Sequence, residues 1–130
     1  MRAFILVHIA DSGAITFGDP MLDWVKQQYA NVVPFDLDAQ SDELMQQYAL
    51  RLLREATASI VCLKAEGQAA FGRVVPLLQE LLMPHLNRLV VLQGEHLRLQ
   101  RVFEARPDMK FTTIRSNAEL KAAVQQFFSA

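Results

Sequence analysis

Continuous apolar runs alternate with helical stripes along this chain. The stretch "AFILVHIA" (residues 3–10) is apolar at nearly every position, so both faces of a strand would be buried, as at the centre of a parallel sheet. "PMLDWVKQQYA" then changes period. Met21, Trp24, Val25 and Tyr29 form one helical stripe, Pro20 suits the first helical position, and Asp19 suits the N-cap. "NVVPFDLD" reads as a second strand, and Pro34, which has no N–H for a ladder, predicts that it lies at a sheet edge. In "SDELMQQYALRLLREAT" the spacing predicts a helix capped by Ser41, with Leu44, Tyr48, Leu52 and Ala56 on its buried face and Met45, Ala49 and Leu53 beside them.

The alternation continues to the end of the chain. "ASIVCLKA" is a third strand, apolar on both faces. Phe71, Val74, Val75, Leu78, Leu81 and Leu82 are helix-spaced, but Pro76 either kinks that helix or begins it, and Pro84 marks its end. "NRLVVLQG" is a fourth strand, "EHLRLQRVFEA" a short helix, and "MKFTTIRS" a more polar fifth strand suited to the opposite edge. The last segment opens with Ser116 and Glu119 in capping-box spacing, followed by Leu120, Ala123, Val124, Phe127 and Phe128 on one face. Five strands alternating with five helices predict an α/β fold, a three-layer doubly wound parallel sheet of flavodoxin-like layout. Right-handed crossovers and the edge proline favour the strand order 2-1-3-4-5. At 130 residues, without repeat or linker, the chain is expected to be a single α/β domain.

Composition narrows the function classes. The hydrophobic fraction is 52% and the mean hydropathy +0.13, which suits a large core or a self-association surface. The formal net charge is −1, and the densest basic group, Arg98, Arg101 and Arg106, is interleaved with Glu95, Glu104 and Asp108. No nucleic-acid partner is therefore expected. Nor is a membrane partner, since no segment has the run of apolar residues that a span needs. The N-terminal run ends in "DSG" without a cleavage pattern, so a cytoplasmic protein is expected. The one cysteine, Cys62, falls in a strand and is expected to be structural.

In this fold class ligands bind beyond the carboxyl ends of the strands, near the switch between strands 1 and 3. The segments there are 11–19, 36–41 and 64–68. Asp11, Ser12, Gly13 and Thr16 could present hydroxyls and backbone N–H groups to a nucleotide-like ligand. They match neither a P-loop nor GxGxxG, and there is no lysine from Asp11 to Asp23. Asp36, Asp38 and Glu66 complete the candidate ligand-binding set, as general acids or bases or as Mg²⁺ ligands. The alternative is that these acids are solvated loop residues and caps. Strand 3 ends in Leu63-Lys64 rather than an aspartate, which argues against phosphorelay chemistry. His8, His85 and His96 show no metal-ligand spacing. His8 is either a core histidine or a base facing the loop site, and His85 and His96 look like surface or helix-end residues. No motif specifies a cofactor, a metal or a catalytic residue.

The stretch "LLREATASIVCLKAEGQAAFGRVVPLLQELL" (52–82) resembles the central part of Toll/interleukin-1-receptor-like (TIR-like) domains, where an amphipathic helix leads to a strand of this kind, then a loop and a helix. The resemblance implies the same five-strand order. It does not carry NAD cleavage across, because Gly72-Arg73 stands where the family has Trp-Cys and Pro76 stands where it has the catalytic glutamate. Glu80 lies one helical turn further on. Nucleoside deoxyribosyltransferase-like proteins share the architecture, but their Gly-Thr segment is missing here as well. The expectation is therefore a non-enzymatic interaction or signalling module, with a protein partner or a second copy as homodimer. Its contact surface is expected on Phe71, Val75, Leu78, Leu82, Leu99 and Phe103. The alternative is a small-molecule binding protein or a nucleotide- or nucleoside-processing enzyme, with its site at the carboxyl ends of strands 1–3.

Overall fold

The computed structural model describes residues 1–9, 19–38, 41–65, 70–83, 85 and 87–129. Strands β1 (Arg2–Ile9), β2 (Val32–Asp38), β3 (Ala58–Ala65), β4 (Arg88–Gly94) and β5 (Lys110–Ile114) form one parallel sheet in the order β2-β1-β3-β4-β5. This is the flavodoxin-like order expected from the crossovers and from Pro34, which lies on the edge strand β2. Helices α1 (Pro20–Gln28) and α5 (Asn117–Ser129) cover one face. Helices α2 (Glu43–Glu55), α3 (Val75–Leu81) and α4 (Leu97–Glu104) cover the other.

The side-chain alternation of each strand divides the core between the two faces. Phe4, Leu6, Ile60, Cys62 and Val91 point to the α1/α5 side, with Met21, Val25, Leu120 and Val124 above them. Ile5, Val7, Val61, Leu63, Val90 and Leu92 point to the other side, under Leu53, Leu77, Leu81, Leu99 and Phe103. The two-sided burial of β1, β3 and β4 is why their sequences read as unbroken apolar runs.

Local signals set most helix starts. The Asp19 carboxylate accepts from the Met21 N–H (2.9 Å) just before Pro20, as expected. Ser41 does not cap α2. Asp42 does, accepting from the Met45 N–H (2.9 Å), while the Ser41 hydroxyl accepts from the Asp38 N–H (2.9 Å) and closes the end of β2. Pro76 starts a helix rather than kinking one: a 3₁₀ turn (Gly72–Val74) leads into α3, whose first turn holds the proline. The Ser116 hydroxyl accepts from the Glu119 N–H (3.3 Å), and Glu119 reaches back to the N–H of Arg115, one residue before the position a capping box uses (3.2 Å).

The face of α2 is rotated from the expected one. Its buried arc is Gln46, Ala49, Leu50, Leu52 and Leu53, whereas Leu44 and Tyr48 are 80% and 44% exposed. Each step of four residues advances about 40° beyond a full turn. The chain Leu44, Tyr48, Leu52, Ala56 therefore starts outside and becomes buried only in its second half. Phe35, half-buried on β2, meets the Tyr48 ring edge-on, with centroids 4.8 Å apart.

Two arginines brace the amino end of the sheet. Arg2 donates to the Phe128 carbonyl at the end of α5 (2.9 Å) and to Asn31 (2.6 Å), and its guanidinium lies over the Phe128 ring. Arg88 is buried and donates to the carbonyls of Leu53 in α2 and Glu80 in α3, both at 3.2 Å. These carbonyls lie in the last turns of their helices and carry the negative end of the dipole; the Glu80 carbonyl also accepts from the Met83 N–H (3.1 Å). Replacing Arg88 with Ala removes the Arg88 donors from both and leaves the Leu53 carbonyl to lose a buried hydrogen bond. We expect urea unfolding to show a loss of about 3 kcal/mol. Arg88→Lys should not restore it, because one ammonium lacks the planar fork that reaches both carbonyls. A change below about 0.5 kcal/mol would show that the brace contributes nothing.

Candidate functional site

The carboxyl end of the sheet carries a row of polar side chains at one level. The register pairs Asp38 with His8, His8 with Lys64, and Lys64 with Gln93. Partners side by side in parallel strands point to the same face, about 4.8 Å apart. The row therefore faces the α1/α5 side, level with the start of those helices. Asp36, two residues before Asp38, lies on the same face of β2. At the end of this row β4 turns at Gly94, whose φ is +102°. A Cβ there would lie 2.3 Å from the Ala65 carbonyl oxygen, so only glycine fits between the ends of β3 and β4.

Lys64 is the centre of the row. Its ammonium pairs with the Asp19 carboxylate and donates to the Asn117 side-chain oxygen (3.0 Å). The Gln93 amide donates to the same oxygen (3.3 Å). One lysine on β3 thus ties the start of α1 to the start of α5. Burial alone would raise the Asp19 carboxyl, but the hydrogen bond from Lys64 and the Met21 N–H outweigh it and hold its pKa below the ordinary 3.8. Cys62, one level below Lys64, is fully buried, and burial pushes its thiol up to about 12. It is not a nucleophile at neutral pH.

His8 is half-buried, and its Nε2 is buried with no hydrogen-bond partner among the described residues. Burial lowers its pKa from 6.5. Asp19 opposes that shift, Lys64 adds to it, and Asp36 and Asp38 oppose it. The imidazole is therefore neutral at pH 7. His96, expected at the surface or at a helix end, is at a helix end but buried, where its Nδ1 accepts from the Leu99 N–H (3.3 Å) as the cap of α4. His85 is exposed, as expected.

Of the expected ligand-binding residues, Asp36 and Asp38 fall on this row. Asp11, Ser12, Gly13, Thr16 and Glu66 lie outside the described residues. Lys64, Gln93 and Asn117 were not singled out from the sequence. Their signal was the last inward position of strands 3 and 4 and the first residue of the last helix. Among the described residues no group of His, Cys, Asp and Glu has the arrangement of a metal site.

The expected contact surface is largely interior. Leu78, Leu99 and Phe103 are buried, because the stripe that the helical period picks out is the one that packs on the sheet. Phe71 and Leu82 are half-buried against the same core. Val75, 39% exposed, is the one member of that set at the surface. The exposed apolar side chains of α2 are Leu44, Met45 and Tyr48. Glu80 is at the other end of the molecule from the polar row. Its carboxylate meets Arg54 (3.4 Å) and its carbonyl meets Arg88, the first residue of β4.

No protein-family model matches the chain, and neither a curated protein nor a solved structure does. Among the described residues no helix is long and apolar enough to cross a membrane.

The site's electrostatics can be read from His8. We expect its NMR titration midpoint below 6.5, rising in Lys64→Met and falling further in Asp19→Asn, as the neighbouring charges require. The unfolded chain then binds this proton more readily than the folded one. The His8 contribution to stability is complete above pH 6.5 and is lost as pH falls through the folded value. Asp19 behaves alike further down, with its contribution present above 3.8 and lost below it. A midpoint at or above 6.5 would contradict this geometry.

Proposed function

We propose that this domain is a non-enzymatic interaction module whose contact surface is the outward face of α2 with the neighbouring edge of β2. The observation that carries the reading is the exposure of Leu44, Met45 and Tyr48 together on one short helix. Leu44 and Tyr48 are i, i+4 neighbours, and Phe35 extends the patch onto the sheet edge. Single exposed apolar residues are ordinary, but a contiguous group marks a contact site. The inert Cys62 thiol and the engagement of Lys64 by Asp19 and Asn117 support the same reading. To test it, a photo-crosslinking amino acid at Leu44, in the full chain in its host cell, should give discrete protein adducts. The same probe at exposed Gln27 on α1 should not. Equal yields at the two positions would overturn the proposal.

His8 favours a second reading, a small-molecule site at the polar row. Its buried, unpartnered Nε2 can take one hydrogen bond from a ligand, and a cleft of about 720 Å³ between Gly94–Leu97 and Thr113–Glu119 adjoins the row at Ile114. Asp19, Asp36 and Asp38 outnumber Lys64 in the row, and Glu95 and Glu119 outnumber Arg115 in the cleft, so the site suits a neutral hydroxyl-bearing ligand better than a phosphate. Thermal-shift measurements with adenosine, AMP, NAD and FMN test this. A ligand at 100 times its Kd adds about 2.7 kcal/mol. The expected result is a raised Tm with adenosine above that with AMP, lost in His8→Ala. No shift with any of the four would end this reading.

A further inference from the structure

We infer that a second copy of this chain covers the outward face of α2, the two α2 helices packing antiparallel about a two-fold axis near Tyr48. The inference rests on the interaction-module reading above. Leu44, Tyr48, Arg51 and Glu55 are spaced by four, three and four residues, the period of a helix seam that meets another helix. On α2 this seam faces outward. Its polar half is the Arg51–Glu55 pair (3.4 Å), both side chains largely exposed.

Charge identifies the occupant. Asp42 and Glu43 stand at the amino end of α2, and Arg51 and Arg54 near its carboxyl end. At about 100° per residue, Glu43, Gln47 and Arg54 share one flank of the seam. In an antiparallel pair each flank meets the same flank of the other helix in reverse order. Glu43 of one copy then comes level with Arg54 of the other, twice per dimer. Leu44 enters the space between the Arg51 and Glu55 stems, and the two Tyr48 rings meet near the axis. Parallel packing would instead set this flank against the opposite one, where Met45 and buried Leu52 lie, and would leave Glu43 and Arg54 without partners across the contact. A two-fold contact requires one patch that complements itself, and this helix supplies both halves. The helix is about 20 Å long, so the contact is small and the dimer weak, dissociating at micromolar concentrations or above.

The test is sedimentation equilibrium of the full chain from about 10 μM to about 1 mM. A reversible monomer–dimer equilibrium is expected. Leu44→Asp, at a position fully outside the core, should raise Kd roughly tenfold or more. Glu43→Arg and Arg54→Glu should each weaken the dimer, and the double variant should recover it, with melting curves confirming that all are folded. Arg54→Glu also loses the contact to Glu80, but the double variant shares that loss, so recovery reads the intermolecular pair alone. A dimer that the double variant fails to recover overturns the antiparallel α2 pairing while leaving self-association standing. A strict monomer at about 1 mM overturns the second copy as occupant, and adducts at Leu44 would then show that the interaction-module reading survives it.

Discussion

All five strands run the same way, and that constraint organises the charges of the molecule. Each helix must return antiparallel to the sheet, so helix carboxyl ends gather at one end and amino ends at the other. The amino end of the sheet thus presents helix-end carbonyls, and Arg2 and Arg88 answer them, one on each face. The carboxyl end presents unpaired N–H groups, and Asp19, Asp42, His96 and Ser116 answer those. Lys64 runs against this pattern, a cation on the sheet among positive helix ends. It is held there by Asp19 and by the shared oxygen of Asn117.

The sheet was legible in the sequence because two-sided burial leaves a mark that needs no partner to interpret. Residues 3–10 and "ASIVCLKA" could only be central strands, and Pro34 could only sit at an edge. Asp19-Pro20 was equally local. The face of α2 was not legible, because four-residue steps drift around a helix and only packing shows where the drift crosses from solvent to core. The Lys64 network was not legible either. Its partners lie 45 and 53 residues away, and only the register between strands brings them level. His8 stands between these cases: its strand was legible, but a run apolar on both faces left open whether it served the core or the loop site, and its neighbours came from other strands.

The same rotation of α2 changes where a partner can act. The helices that cover the sheet spend their long apolar stripes on the core, so Leu78, Leu99 and Phe103 have nothing left to offer. Among the described residues α2 keeps more exposed large apolar side chains than any other helix, Leu44, Met45 and Tyr48, in a short seam beside the edge strand. The polar row is separate from it, on the opposite face of the sheet and at its carboxyl end. Two surfaces with different chemistry therefore share one scaffold without sharing a side chain.

Cys62 sits on the central strand β3, covered on both faces and flanked by β1 and β4. No fraying terminus or edge strand exposes it. The thiol becomes accessible only when α1 or α5 lifts from the sheet or the sheet itself separates. The rate at which an alkylating reagent consumes it is therefore a clock for the large openings of the molecule, indifferent to the smaller breathing of loops and helix ends.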